Sequence, residues 1–324
     1  MTDTEKKNST LYSDIAYDDA FRTLESLCDD IVIPFVNHMF GENYSQRAVI
    51  TRLRNEHFVE GRGGKGEKRI TDSSFVITEN NVGKRYHLEC ESKKYDGSIL
   101  VRIFEYDARI ALENADTELD KITVKFPNTG VLMLRSTNRT PDKALIEIKL
   151  PNEKQMSYEV PVLKVSDYTI DEIFEKKLYM LIPFYIFVYE KDLESINEDE
   201  KKQTELLEVY RKITEKLESE LISGNLSGRS LSAIMDSIEC VSYKLTMNWD
   251  NVRKKVGDYM GGKIIELESV KKYDEFIENT IKNRDKEKIA VLLRKGKSVE
   301  EIVDLCEYPE DLVREVEQNL LVTQ

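Results

Sequence analysis

Asp72, Glu89 and Glu91 are the side chains whose types and spacing point most directly to chemistry. They lie in the stretch Arg69 to Lys94, RITDSSFVITENNVGKRYHLECESKK, which reads as a β-hairpin. Ile70, Phe75 and Ile77 are strand formers on its first arm, and Tyr86, His87 and Leu88 lead the second. Between the arms, Glu79 to Lys84 supplies turn chemistry, since Asn and Gly tolerate positive φ. Side chains alternate along a strand, so Glu89, Glu91 and Lys93 share one face, and His87 has the same parity. A hairpin sets the start of one arm beside the end of the other, which brings Asp72 toward Glu89 and Glu91. Converging carboxylates repel one another unless a cation lies between them. Oxygen ligands of this kind suit Mg²⁺ or Mn²⁺. Simpler readings stay open from these residues alone. Asp72 can cap a strand end, Glu89 and Glu91 can pair with Lys93 and Arg102 on an exposed strand, and His87 can be structural.

The elements that must position these acids follow from hydrophobic spacing. Tyr17 to Asp29 predicts a helix with Ala20, Phe21, Leu24 and Leu27 on its apolar side. Pro34 opens a second apolar stretch that Gly41 closes. Ala48 to Val59 predicts a strand, and GRGGKGEK after it a glycine loop, because Glu67 stands where a phosphate loop needs Lys. Beyond the hairpin, Ser98 to Asn114 predicts an amphipathic helix. Its expected buried stripe is Leu100, Ile103, Phe104, Ala108 and Ala111, with Arg102, Glu105, Tyr106 and Arg109 on another face. Lys121–Phe126, Val131–Arg135 and Ala144–Leu150 predict strands, with a turn at Pro127 to Gly130. This order gives an α/β core, a mixed sheet flanked by helices.

From Ile170 onward the pattern is helical. Asp171 to Tyr189 is apolar enough to pack on the core, and Glu198 to Ile222 carries Leu206, Leu207, Tyr210, Ile213, Leu217 and Leu221 on one side. Ser223-Gly224-Asn225 breaks the pattern, which predicts a core over 12–222 and a helical region over 226–324. Asp250 to Lys288 alternates in charge as exposed helices do. The tail reads as a helix from Ser298, a turn at Tyr308-Pro309 and a helix from Glu310. That last helix bears Glu310, Asp311, Glu315 and Glu317 against Arg314, a balance that phosphates would repel, so it reads as a packing cap or a protein-contact element.

Composition narrows the function classes. With 324 residues, 40% hydrophobic and 34% charged, the chain can bury a large core. Its most apolar run, Leu178 to Tyr189, is too short to span a bilayer and contains Pro183, and MTDTEKKNST has no apolar signal segment. Cys28, Cys90, Cys240 and Cys306 show no paired spacing, which argues against a zinc site or a disulfide framework. A cytoplasmic protein without membrane contact is expected. The net charge of −13 opposes general attraction to phosphates. Arg47, Arg52, Arg54, Arg62, Lys65, Lys68 and Arg69 nevertheless form a basic segment leading into Asp72.

ITDSSF, YHLECES and VRIFEYDARIALE, in that order, resemble the recombination-promoting nucleases, also described as transposases, of the PD-(D/E)xK nuclease superfamily. YDDAF near the start and KGKSVEEI in the tail are similar too. The resemblance implies a restriction-endonuclease-like mixed central sheet flanked by helices, with an all-helical C-terminal extension. It implies Mg²⁺- or Mn²⁺-dependent cleavage of DNA in recombination or transposition, with Asp72 and Glu89 holding the metal; a homodimer is left open. The third motif position, usually Lys and often Gln in this branch, is Glu91 here. A carboxylate cannot supply the positive charge of Lys. Glu91 instead suits a third ligand or a general base, with Lys93 or Arg102 as the cation. The alternative is a nuclease-fold protein with weakened catalysis, acting as an interaction module.

Overall fold

The computed structural model describes residues 16–322 apart from 46, 54–55, 61–65, 71–72, 114, 152, 295–296 and 307. Residues 16–27 form helix α1, which buries Ala20, Phe21 and Leu24 as their spacing requires, while Leu27 is exposed. Helix α2 (Asp29–Phe40) follows, with Pro34 inside it, and ends on Gly41 at φ 66°. That left-handed conformation carries little cost without a Cβ.

Strand β1 (Val49–Arg52) is shorter than the sequence suggests. The expected single strand over Ala48 to Val59 is divided, because β2 (Glu56–Glu60) leaves the main sheet and pairs with β3 (Gly66–Ile70). Gly66 to Lys68, expected in the glycine loop, therefore belong to a strand. The hairpin is present as β4 (Ser73–Glu79) and β5 (Val82–Glu91), paired from Ser73↔Leu88 to Glu79↔Val82. Its turn is the two-residue Asn80-Asn81, at φ 52° and 64°. Two consecutive positive φ values are what a tight hairpin turn demands, and Asn meets them at low cost.

Helix α3 (Ile99–Glu113) then crosses to the far side of β5. Its buried face differs from the expected stripe: Ile99, Ile103, Tyr106, Asp107, Ile110 and Ala111 are inside, and Phe104 is exposed. Strands β6 (Asp116–Thr117) and β7 (Ile122–Thr123) make a small separate hairpin, so the longer strand expected over Lys121 to Phe126 does not form. Strand β8 (Asn128–Met133) begins inside the turn expected at Pro127 to Gly130. Gly130 leaves room there for Met39, since a Cβ would lie 2.2 Å from Met39 Sδ and force that side chain to shift. Strands β9 (Lys143–Lys149) and β10 (Gln155–Lys164) complete a mixed sheet of order β1-β4-β5-β8-β10-β9. The β1-β4-β5 ladder is antiparallel, β8 is parallel to β5, and β10 is parallel to β8.

The two faces of the sheet are covered differently. On one, Phe40 of α2 packs on Tyr86, which stacks on Phe75. On the other, Ile99 and Ile103 of α3 form a core with Val131, Met133, Ala144, Ile146, Val160 and Val162. After α4 (Ile170–Glu175), the expected apolar helix breaks at Lys177, whose φ is 54°, and continues as a buried 3-10 segment, Tyr179–Asp192. Pro183 lacks the donor that an α-helical ladder would use there. Helices α5 (Leu193–Glu198), α6 (Glu200–Ile222) and α7 (Gly228–Leu245) follow, and α6 buries Leu206, Tyr210, Ile213, Thr214 and Leu217. Helix α7 packs on the Tyr179–Asp192 segment.

Helix α8 (Asp250–Arg294) runs across the point, Gly261 to Gly262, at which the chain divides into two compact units. The second unit has its own small core, in which Ile289 meets Val299 and Ile302 of α9 (Val299–Cys306) and Val313 and Val316 of α10 (Glu310–Val322). Ser298 starts α9 with a reciprocal cap: its Oγ accepts from Glu301 N–H and Glu301 accepts from Ser298 N–H. Among the described residues no helix is long and apolar enough to cross a membrane.

Candidate active site

Alternation along β5 sorts its residues onto two surfaces. Tyr86, Leu88 and Cys90 are buried toward α2, while His87, Glu89 and Glu91 face α3. Glu89 is only 2% exposed, a setting in which a carboxylate is costly unless fully partnered. Both its oxygens meet cations: Oε1 lies 3.0 Å from His87 Nε2, and Oε2 lies 3.0 Å from Arg102 Nη2. The same Arg102 nitrogen lies 3.1 Å from Glu91 Oε2, so one guanidinium joins the two glutamates.

Behind Glu89 the polar chain continues inward. His87 Nδ1 is 2.8 Å from Asp107 Oδ1, and that oxygen also accepts from Thr129 Oγ1 at 2.6 Å. Asp107 Oδ2 accepts from the Tyr158 hydroxyl at 2.8 Å. His87, Glu89, Asp107 and Thr129 are all buried. Four elements therefore contribute to one network: β5, α3, β8 and β10. Burial alone would lower the pKa of His87, but the hydrogen bonds and charges of Asp107 and Glu89 outweigh it and raise the ring to about 9. At neutral pH His87 is thus an imidazolium that donates from both nitrogens. Burial and the charge of Asp107 push the Tyr158 phenol well above its ordinary value, which keeps it a donor. Three carboxylates (Glu89, Glu91 and Asp107) meet two cations (His87 and Arg102), a formal excess of one negative charge.

The structure brings Glu89, Glu91 and Arg102 together. Asp72 lies outside the described residues. Lys93 falls beyond the end of β5 and is exposed; its backbone N–H donates to Glu91 Oε1 at 2.9 Å. The basic segment is accounted for only in part, since Arg54, Arg62 and Lys65 also lie outside the described residues. Arg52 turns inward, giving its guanidinium to the Glu25 carbonyl and to Asp29 Oδ1. Asp107, Thr129 and Tyr158 are additions that the sequence reading does not contain. Asp107 carries a signal in hindsight: an acid one turn after Ile103 and one turn before Ala111 interrupts a buried stripe.

By donor type the glutamates suit a hard divalent cation, and the residual negative charge favours one. The oxygens that would bind it, however, already hold the Arg102 guanidinium. Among the described residues no group of three or more His, Cys, Asp or Glu side chains is placed to hold a metal. Compared with protein-family models, with curated proteins and with solved structures, the chain matches none.

Proposed function

We propose that this chain is a metal-dependent endonuclease of the PD-(D/E)xK kind, cleaving DNA phosphodiesters in recombination or transposition. The observation that carries this reading is the placement of Glu89 and Glu91 at the end of β5, facing α3. Two features support it. A mixed sheet flanked by helices, with the β4–β5 hairpin followed by α3, is compatible with the architecture that the sequence resemblance implies. The register sets Ser73, which follows Asp72 in the chain, opposite Leu88, which precedes Glu89.

In this reading Glu89, Glu91 and Asp72 would hold Mg²⁺ or Mn²⁺, and the metal would supply Lewis-acid activation of water and charge stabilisation at the phosphate. The rest of the work belongs to the chain. His87, braced by Asp107, Thr129 and Tyr158, fixes the orientation of Glu89. Arg102 balances the charge of Glu89 and Glu91 while no metal is bound. Purified full-length chain is expected to nick supercoiled plasmid with Mg²⁺ or Mn²⁺. Glu89→Gln and Asp72→Asn are each expected to lower the rate on the order of 100-fold or more. Undiminished cleavage by both folded variants would contradict the assignment.

One observation favours a second reading, a nuclease-fold interaction module with weakened catalysis. Arg102 and His87 already satisfy Glu89 without any metal. Absence of nicking by the wild-type chain in either metal would select it.

A further inference from the structure

We infer that Arg102 is the displaceable counter-ion of the Glu89–Glu91 pair, and that a divalent cation enters this site by taking its place. The inference rests on the metal-dependent reading above and concerns what that reading requires of the chain itself.

The two oxygens of Glu89 are held in unequal ways. On Oε1, His87 is completely buried, and its other nitrogen is tied to Asp107, which is in turn fixed by Thr129 and Tyr158. Moving His87 would strand several buried polar groups at once. On Oε2, Arg102 has a side chain that is 37% exposed and extends from a single helix. Its long stem lets the guanidinium reach water from this position, which the buried His87 ring cannot do. The fold thus gives Glu89 one fixed partner and one removable partner.

Arg102 and a metal cannot share these oxygens. Mg²⁺ binds carboxylate oxygen at about 2.0–2.1 Å, using lone pairs that the Arg102 N–H groups now occupy. A guanidinium left about 3 Å from the same oxygens would face a doubly charged neighbour across a short distance. Without a metal, removing Arg102 would take the shared counter-charge from Glu91 and from Oε2 of Glu89, leaving His87 on Oε1. One Arg102 nitrogen serves both carboxylates at once, and it is this shared contact that a metal would replace. Arg102 therefore holds the pair together until a metal arrives, and its affinity for the pair is subtracted from that of the metal.

The test is titration of Mn²⁺ into the full-length wild-type chain, Arg102→Gln and Arg102→Lys, by calorimetry near pH 7.5, with the melting temperature followed in parallel. Arg102→Gln is expected to bind Mn²⁺ at least 10-fold more tightly than wild type. It should melt lower without metal and gain more on adding it. Arg102→Lys should fall between the two, and it carries the test alone should the Gln variant not fold. Adding Glu89→Gln to the Arg102 variant should cancel the gain. Equal affinities in wild type and both Arg102 variants would overturn the counter-ion assignment while leaving the metal-dependent reading in place. Absence of Mn²⁺ binding in all of them would overturn both.

Discussion

Two buried glutamates, Glu25 on α1 and Glu89 on β5, each have an arginine close by, and the fold treats them very differently. Glu89 has cations on both oxygens at 3.0 Å. Glu25 is 3% exposed, yet among the described residues its Oε1 has no hydrogen-bond partner, and Arg52 Nε stands 3.6 Å away. The Arg52 donors are directed instead at the Glu25 carbonyl, near the C-terminus of α1, and at Asp29. Arg52 thus satisfies a helix-end carbonyl before it satisfies the side chain. Burial, opposed only in part by the charge of Arg52 and a hydrogen bond from Ser73, lifts the Glu25 carboxyl from 4.5 to about 7. Closeness of an arginine is therefore a poor guide to whether a buried acid is stabilised; the direction of its N–H groups decides.

The largest way to test this contrast is to break the satisfied network. Asp107→Ala would leave His87, Thr129 and Tyr158 without their shared acceptor, inside the protein. The expected cost is about 3–5 kcal/mol in urea unfolding. A loss below about 1 kcal/mol would show that water or a rearranged neighbour replaces the carboxylate.

The less well-partnered acid should reveal itself through pH. A carboxyl whose pKa is raised on folding contributes stability while protonated. The contribution of Glu25 is complete below 4.5 and is lost as pH climbs through about 7. Its size is on the order of 3 kcal/mol at most. Glu25→Gln, which mimics the protonated form, should flatten the stability profile over that window and melt higher than wild type near pH 8. An unchanged slope would place the titration elsewhere.

How far these features can be read from the sequence depends on the range of the interactions that create them. The β4–β5 hairpin is legible because Asn80 and Asn81 supply the turn locally and the strand alternation agrees with it. Helix α3 is legible in extent but not in its buried face, since Asp107 displaces an apolar residue from the stripe and Tyr106 turns inward. That exchange makes sense only once His87 lies opposite, twenty positions away. Strand β8 hides behind turn-forming residues, because Gly130 serves close packing against Met39 and not a turn. Strand β10 hides behind Pro161. Pro161 is tolerated where the antiparallel ladder to β9 ends and the parallel ladder to β8 begins at Val162. Tyr158 was lost with that strand, and Glu25 carries no local sign that its partner would point elsewhere.

The account centres on Glu89 having one fixed and one exchangeable cation, and crystals of the full-length chain soaked in Mn²⁺ test this most directly. An anomalous peak between Glu89 and Glu91, with His87 unmoved and Arg102 turned out to solvent, is the predicted result. A guanidinium still bridging the two glutamates, with no peak beside them at saturating Mn²⁺, would contradict it.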